Sequence, residues 1–380
     1  MMHEPDRQTA LTGSAGQAGG RARRRGSRLG RGLMKLRSGT FSAMYSTGLA
    51  KLLAARRYRG THYVVLAYHG VSEHAQALFT SKDLFERHLQ FFKTWGGVAT
   101  LNELGGCARE QHARPVPGLR FVITFDDGYA NVVRNAVPLL RKYGMKAIVY
   151  VNPGWMERAV IPWWFQLTGS SARAQELRRL ANEKCLLQHR PAATDDSVSW
   201  PAALIQAILA QVPQEQMDSW WSSVESQYAL SDESQLGRFR LATWTELASA
   251  GDVLEVGSHT QTHCILGLCR DPEFARLQIS TAKQAIEARS GKACRHFAYP
   301  RGEAGDYNGQ TRQMLAAAGH QTAVTCRVGV SRAGEDPLAI PRFFVSETPV
   351  AELAAQLLGF TAQWDSAVQT IKDRVKRGPA

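Results

Sequence analysis

The sequence predicts an α/β chain built on a barrel-like sheet of about seven parallel strands, and three observations lead there. Short apolar runs suited to buried strands alternate with stretches of helical spacing, the order that favours parallel β/α packing. Several of the runs end in residues that carry chemistry, as the carboxyl ends of barrel strands do. A Trp-rich block at 155–240 interrupts the rhythm and reads as a helical insertion.

Taken in order, the first strand is Thr61-His62-Tyr63-Val64-Val65-Leu66-Ala67-Tyr68, which runs into His69-Gly70. A helix is expected over 81–95, with Ser81 as its N-cap, one face filled by Leu84, Phe85, His88, Leu89, Phe91 and Phe92, and Gly96-Gly97 as its stop. The strand 121–125 is next, then a helix over 131–143 ended by Gly144, then the strand 147–151. Inside the insertion, helices are expected near 172–188, 201–211 and 214–228. Most of its tryptophans read as core; Trp163 and Trp164, nearest a strand end, could instead face a sugar ring. Strands return at 252–257, 294–299, 321–326 and 341–346, with helices at 243–250, 272–289 and 308–318 between them and a last helical stretch at 349–375.

The composition, 44% hydrophobic and 21% charged over 380 residues, is that of a globular protein with a large core. The net charge of +13 is unevenly placed. Residues 1–60 hold 13 Lys/Arg against 2 Asp/Glu, and the remainder 33 against 31. A nearly neutral body argues against nucleic acid as a partner. Residues 1–38 read as a disordered basic tail, poor in apolar surface. Residues 39–59 read as an amphipathic basic helix: Phe41, Met44, Tyr45, Leu49, Leu52 and Leu53 recur near helical spacing ahead of Arg56, Arg57 and Arg59. Residues 21–59 could therefore lie on an anionic membrane surface, or the helix could pack on the domain. No run is long and apolar enough for a transmembrane span, and no secretory signal is visible. The cysteines, Cys107, Cys185, Cys264, Cys269, Cys294 and Cys326, contain no CxxC pair and suggest free thiols. A cytoplasmic protein is expected, one that could sit peripherally at the inner face of the membrane.

The chemistry gathers at two strand ends. Phe121-Val122-Ile123-Thr124-Phe125 runs straight into Asp126-Asp127-Gly128-Tyr129, and two carboxylates after an apolar run are costly to bury unless something positive or hydrogen-bonding meets them. After the strand 252–257 comes His259-Thr260-Gln261-Thr262-His263, two imidazoles at i and i+4, a spacing that on a helical turn lets both reach one metal. One aspartate with two histidines is a frequent ligand set for a catalytic divalent ion.

Thr124-Phe125-Asp126-Asp127-Gly128, together with the later His259-Thr260-x-x-His263, resembles the polysaccharide (carbohydrate) deacetylase family, the NodB-homology domain, over roughly residues 60–346. Phe297-Ala298-Tyr299-Pro300-Arg301-Gly302 resembles the Tyr-Pro-x-Gly form of that family's third motif. The resemblance implies a distorted (β/α) barrel; the domain is expected over 60–350, with residues 351–380 as a C-terminal helix and tail. The resemblance implies Asp126 as general base, and Asp127, His259 and His263 as ligands of one divalent ion; the donor set fits Zn2+ and also accommodates Co2+ or Ni2+. It further implies that the backbone N–H of Tyr299 helps hold the oxyanion as an activated water attacks an N-acetyl group.

The chain departs from the family pattern at the acid. The late Leu-x-His motif that supplies it in many members is absent, so His69, at the end of the first strand, is the replacement candidate, with a structural histidine as the alternative. Arg342, in Ile340-Pro341-Arg342, resembles an arginine that would keep Asp126 ionised, or it forms a structural ion pair. The expected activity is removal of an N-acetyl group from an amino sugar of a glycan or glycolipid precursor. The alternative is a carbohydrate-binding protein that has lost turnover.

Overall fold

The computed structural model describes residues 35–74, 78–105, 118–167, 179, 199–226, 237–361 and 363–364. Its strands are β1 (Thr61–Tyr68), β2 (Gly70–Ser72), β3 (Phe79–Ser81), β4 (Gly118–Phe125), β5 (Ala147–Val151), β6 (Leu254–Ser258), β7 (His296–Ala298), β8 (Thr322–Val324) and β9 (Phe343–Phe344). Seven of them form one sheet in the order β8-β7-β6-β5-β4-β1-β9, every pair parallel, while β2 and β3 pair separately. The order tracks the chain around a ring.

The ring closes through a proline. Pro341 has no N–H and cannot sit inside a continuous ladder, so the strand expected at 341–346 divides its bonds between two neighbours. Ile340 exchanges backbone bonds with β8, donating to Ala323 O at 2.9 Å and accepting from Thr325 N at 2.8 Å. Phe343–Phe344 then pair with β1. Arg342 lies between the two halves and is fully buried.

Side-chain alternation sorts the sheet into two faces. Val64, Leu66 and Tyr68 of β1, with Phe121, Ile123 and Phe125 of β4, pack outward onto the helix Lys82–Trp95 and its neighbours. Tyr63, Val65, Val122, Ile148, Tyr150, Ala298 and Val324 fill the inside. The same period of two orients the first carboxylate. Asp126 is in phase with Val122 and Thr124, so at the end of β4 it points into the barrel.

The helix Lys82–Trp95 buries all six residues expected on its inner face. Ser81 occupies its cap position, but the hydroxyl makes no capping bond, and the Ser81 N–H is held by the Glu347 carboxylate. The helix expected over 131–143 begins as a wide π-turn, Val132–Ala136, and becomes α-helical at Val137–Tyr143. Pro138, which cannot donate to the preceding turn, sits at the junction. Helices Trp244–Ser249, Pro272–Ser290 and Gly309–Ala317 lie where the periodicity placed them. Between β5 and β6 come the helices Pro153–Glu157, Trp163–Leu167, Ser199–Gln211 and Met217–Glu225. The helix expected at 172–188 falls outside the described residues except for Arg179, which is helical.

At the N-terminal side, residues 35–46 are helical, the chain breaks at Thr47-Gly48, and a second helix covers Leu49–Arg57. One face of this pair packs on the domain: Phe41, Ala50 and Ala54 are buried, Met44, Tyr45 and Leu53 lean on the core, and Arg37 pairs with Glu352 at 2.8 Å. Leu36, Leu49 and Leu52 are exposed. The helix Val350–Leu357 follows, and after a turn at 358–359 residues 360–361 and 363–364 are helical again; residues 362 and 365–375 of the expected helix, and residues 1–34 of the expected tail, lie outside the described ones. Among the described residues no helix is long and apolar enough to cross a membrane.

One buried histidine sets a pH response. His88 accepts from the Tyr68 hydroxyl at Nδ1, 2.9 Å away, and donates from Nε2 to Thr348 O at 2.8 Å, which uses the neutral ring completely. Burial lowers its pKa from 6.5 to about 4. As pH falls below about 6.5 the unfolded chain takes up the proton first, so stability is present above that pH and is lost as pH falls toward the folded value. The expected loss from this residue is about 2 kcal/mol by pH 5. Urea midpoints should fall between pH 7 and pH 5, and His88→Gln should flatten part of that slope. Identical slopes in the two proteins would contradict the assignment.

Candidate active site

The site stands at the carboxyl ends of β1, β4 and β6. Asp126, directly after β4, is anchored by its N–H to Tyr68 O at 2.8 Å and keeps the inward phase of the strand. Asp127, one residue on, would point outward if the strand continued. It takes a left-handed conformation instead, φ 67°, and Gly128 after it has φ 75°. A Cβ on Gly128 would lie 2.9 Å from Val151 Cγ1, so the double left-handed turn requires glycine there. This turn brings both carboxylates to one cavity.

His259 comes directly after β6 and donates its N–H to Val151 O at 2.9 Å. The His259–His263 segment is not the helical turn that the i, i+4 spacing suggested. Thr260 (φ 64°) and His263 (φ 55°) are both left-handed, and the turn is tied down by Cys264 N–H to Thr260 Oγ1 at 2.8 Å and Gln261 N–H to Gln278 O at 3.0 Å. Left-handed non-glycine residues cost on the order of 1 kcal/mol or more each and concentrate at functional sites. Here they turn two imidazoles onto the same carboxylate.

The three groups converge. Asp127 Oδ1 lies 3.5 Å from His259 Nε2 and 3.5 Å from His263 Nε2, and all three ligand atoms fall within 4.8 Å of one another. Donors about 2.0–2.2 Å from a shared tetrahedral ion would stand roughly 3.4 Å apart. Two of the groups show the right free atom. Asp127 Oδ1 is buried without a hydrogen-bond partner, while Oδ2 accepts from the Tyr129 hydroxyl at 2.8 Å. His259 Nδ1 donates to Ala298 O at 2.7 Å, which leaves Nε2 as the free lone pair. Burial lowers both histidine pKa values, His263 to about 4, so both rings are neutral near pH 7 and able to ligate. Among the described residues this is the one such cluster of three. The residues fit a divalent ion.

Asp126 is held differently. Arg342 Nη1 and Nη2 reach its two oxygens at 2.7 and 2.8 Å, and the same guanidinium donates to Thr124 Oγ1 at 3.1 Å and Thr325 O at 2.9 Å. Burial alone would raise the Asp126 carboxyl. Arg342, and behind it His259, outweigh burial and hold it well below the usual carboxylate range. Asp126 is an anion in the barrel.

The remaining expected residues divide. His69 lines the same cavity as Asp126, Asp127, His259 and His263, its Nδ1 buried without a partner and its ring edge-on to Phe344 at 5.4 Å. Tyr299 is not available as expected. Its N–H donates to Val324 O at 3.1 Å in the register of the sheet, and its hydroxyl donates to Leu338 O at 3.0 Å. A donor already bonded in the ladder is not a free oxyanion donor, and Tyr299 instead packs the apolar layer behind the site.

The cavity measures about 610 Å³ and is roofed by the inserted helices through Trp163, Trp164, Ile205, Leu209 and Met217. Trp164 packs at 4.7 Å from the His263 ring, and Trp155 lies nearly parallel to it at 5.5 Å and 13°. Sequence reasoning singled out Trp163 and Trp164; Trp155, expected in the core, is buried there and in addition stacks on the His263 ring. The same reasoning missed Tyr129, although a hydroxyl two residues beyond Asp127 was a signal that the acid had a donor of its own.

The model of the family described as polysaccharide deacetylase matches residues 113–209 and 231–323, together half of the chain. A curated relative, YxkH of Bacillus subtilis (strain 168), which bears the polysaccharide deacetylase name, is 32% identical over 87 residues; the match spans 23% of this chain and 30% of the relative's length. The fold is similar to that of two solved structures. One is the Streptococcus pyogenes deacetylase PplD in complex with acetate, at TM-score 0.51 and 18% identity, covering 79% of this chain and 99% of that one. The other is IcaB from Ammonifex degensii, also at TM-score 0.51 and 18% identity, covering 79% and 98%. At that identity the likeness concerns the barrel alone. With the matched family model, the conclusion is that this chain belongs to the polysaccharide deacetylase family.

Proposed function

We propose that the protein is a divalent-metal-dependent N-deacetylase that hydrolyses the N-acetyl group of an amino sugar in a glycan or glycolipid precursor. The observation that carries the reading is an ionised Asp126 beside the Asp127, His259 and His263 cluster, with the free Nδ1 of His69 in the same cavity. Asp127, His259 and His263 would hold the ion; Zn2+ fits the donor set, and Co2+ or Ni2+ also match it. When bound, such an ion supplies Lewis acidity to the amide carbonyl and to water.

The chain's own residues do the rest. Asp126 takes the proton of the attacking water, and Arg342 keeps it ionised between turnovers. His69, whose Nδ1 has no other partner, gives the proton to the amine nitrogen as the C–N bond breaks, yielding acetate and a free amino sugar. Trp155 and Trp164 fix the His263 ring and exclude water from that side of the cavity. A binding role without turnover would not call for a buried, arginine-held carboxylate next to a ligand cluster.

The apolar walls of the cavity, Leu78, Ile205, Leu209 and Met217 among them, support a substrate with an apolar portion, as in a lipid-linked precursor. The exposed Leu36, Leu49 and Leu52 beside Lys51, Arg56 and Arg57 support contact with an anionic membrane surface, with the protein on the cytoplasmic side. Acetate release should be measured on free N-acetylhexosamines, their oligomers and lipid-phosphate-linked N-acetyl amino sugars. Release is expected, fastest from the lipid-linked class. Turnover of free oligomers at an equal or higher kcat/KM would remove the lipid-linked assignment, and no release from any of them would remove the deacetylase reading.

A further inference from the structure

We propose that Cys264 and Cys269 form a redox-active dithiol that closes to a disulfide and latches the loop on which the cavity roof is anchored. Their sulfurs stand 3.1 Å apart, closer than unbonded sulfurs normally rest and about 1 Å from bonding distance. Cys264 is buried and Cys269 half-buried, with the short turn Leu266–Leu268 between them. The other described cysteines serve as internal controls, because Cys294 and Cys326 stand against His296 O and Arg342 rather than against another thiol.

The location gives the pair its consequence. Cys264 is the residue after His263 and lines the cavity. The loop around the pair is also where the inserted helices attach: the Ile265 N–H donates to Gln214 Oε1 at 2.9 Å, and the Arg270 and Asp271 N–H groups donate to Glu215 Oε1 at 2.6 and 3.0 Å. Gln214 and Glu215 form the turn that leads into the helix Met217–Glu225, and Gln214 itself lines the cavity. A bond across residues 264–269 would remove the open conformations of this loop and hold the roof attachment in place.

The oxidant is a peroxide. The Cys269 thiolate, the more accessible, attacks one peroxide oxygen; the O–O bond breaks, and the departing hydroxide leaves as water with the proton Cys269 gave up. The Cys264 sulfur then attacks the Cys269 sulfenic acid; the S–S bond forms, the S–O bond breaks, and the hydroxide leaves as water with the Cys264 proton. Two thiols are oxidised and one hydrogen peroxide is reduced to two waters.

The dithiol does not depend on the deacetylase reading, because its test is thiol chemistry. Full-length protein is treated with hydrogen peroxide, denatured, alkylated and mapped by mass spectrometry, and amide hydrogen exchange is measured on the oxidised and reduced forms. Cys264 and Cys269 should become unreactive together, recover with dithiothreitol, and leave Cys294 and Cys326 alkylatable. In Cys269→Ser, Cys264 should stay a thiol. Amides of 264–271 and 214–216 should exchange several-fold more slowly in the oxidised protein. Both thiols surviving, Cys269 passing to sulfinic acid without pairing, or a disulfide that leaves exchange unchanged would each overturn the proposal.

Discussion

Asp126→Asn should lower the rate of acetate release by roughly a hundred- to ten-thousand-fold while the protein still binds its divalent ion. The two neighbouring carboxylates have separate partners. Asp126 is bonded to Arg342 through both oxygens, whereas Asp127 keeps one buried oxygen without a partner beside the two histidines. Asparagine preserves size and leaves Asp127 untouched, so ion content should match the wild type when both are measured by elemental analysis. An Asp126→Asn protein that turns over at the wild-type rate would remove Asp126 as the base. Asp127→Asn should instead lose the ion and the activity together. That contrast separates the two roles.

Arg342→Met should destabilise the protein by about 3–5 kcal/mol, the usual cost of stranding one partner of a buried ion pair. Arg342 is 0% exposed, its guanidinium meets Asp126, Thr124 and Thr325, and it stands 6.0 Å from the Tyr150 ring. Methionine fills much of the space and leaves a buried carboxylate alone. With Arg342 gone, burial is the dominant influence on Asp126 and raises its pKa, so the acid limb of the rate profile should move to higher pH. Arg342→Lys should recover part of the stability but less of the rate, because an ammonium cannot bond both oxygens in the planar arrangement. A thermal midpoint and pH profile unchanged in Arg342→Met would show that the pair contributes neither.

The sheet and the residues around the site were legible for different reasons. Seven strands could be read because each is a short apolar run bounded by turn residues, and the inner face of the helix Lys82–Trp95 because its spacing is unambiguous. What stayed hidden was backbone conformation without a glycine to mark it. Thr260 and His263 are left-handed, so the i, i+4 histidines read as a helical pair and are a strained turn. The misplaced role of Tyr299 has a related cause, since which N–H groups the β7–β8 ladder consumes depends on a register that local sequence does not show. Trp155 is core as the sequence suggested, and only the fold shows that it also lies over His263.

The proposed chemistry stands or falls on whether the Asp127, His259 and His263 cluster serves the hydrolysis of an N-acetyl group. The most direct test is acetate release from an N-acetyl amino sugar substrate before chelation, after chelation, and after return of one equivalent of Zn2+ or Co2+. Activity is expected at the outset, with a fall to background in the metal-free protein and a return with the ion in the wild type but not in His259→Ala. Acetate release that persists in metal-free protein, or that survives His259→Ala, would contradict a metal-dependent deacetylase.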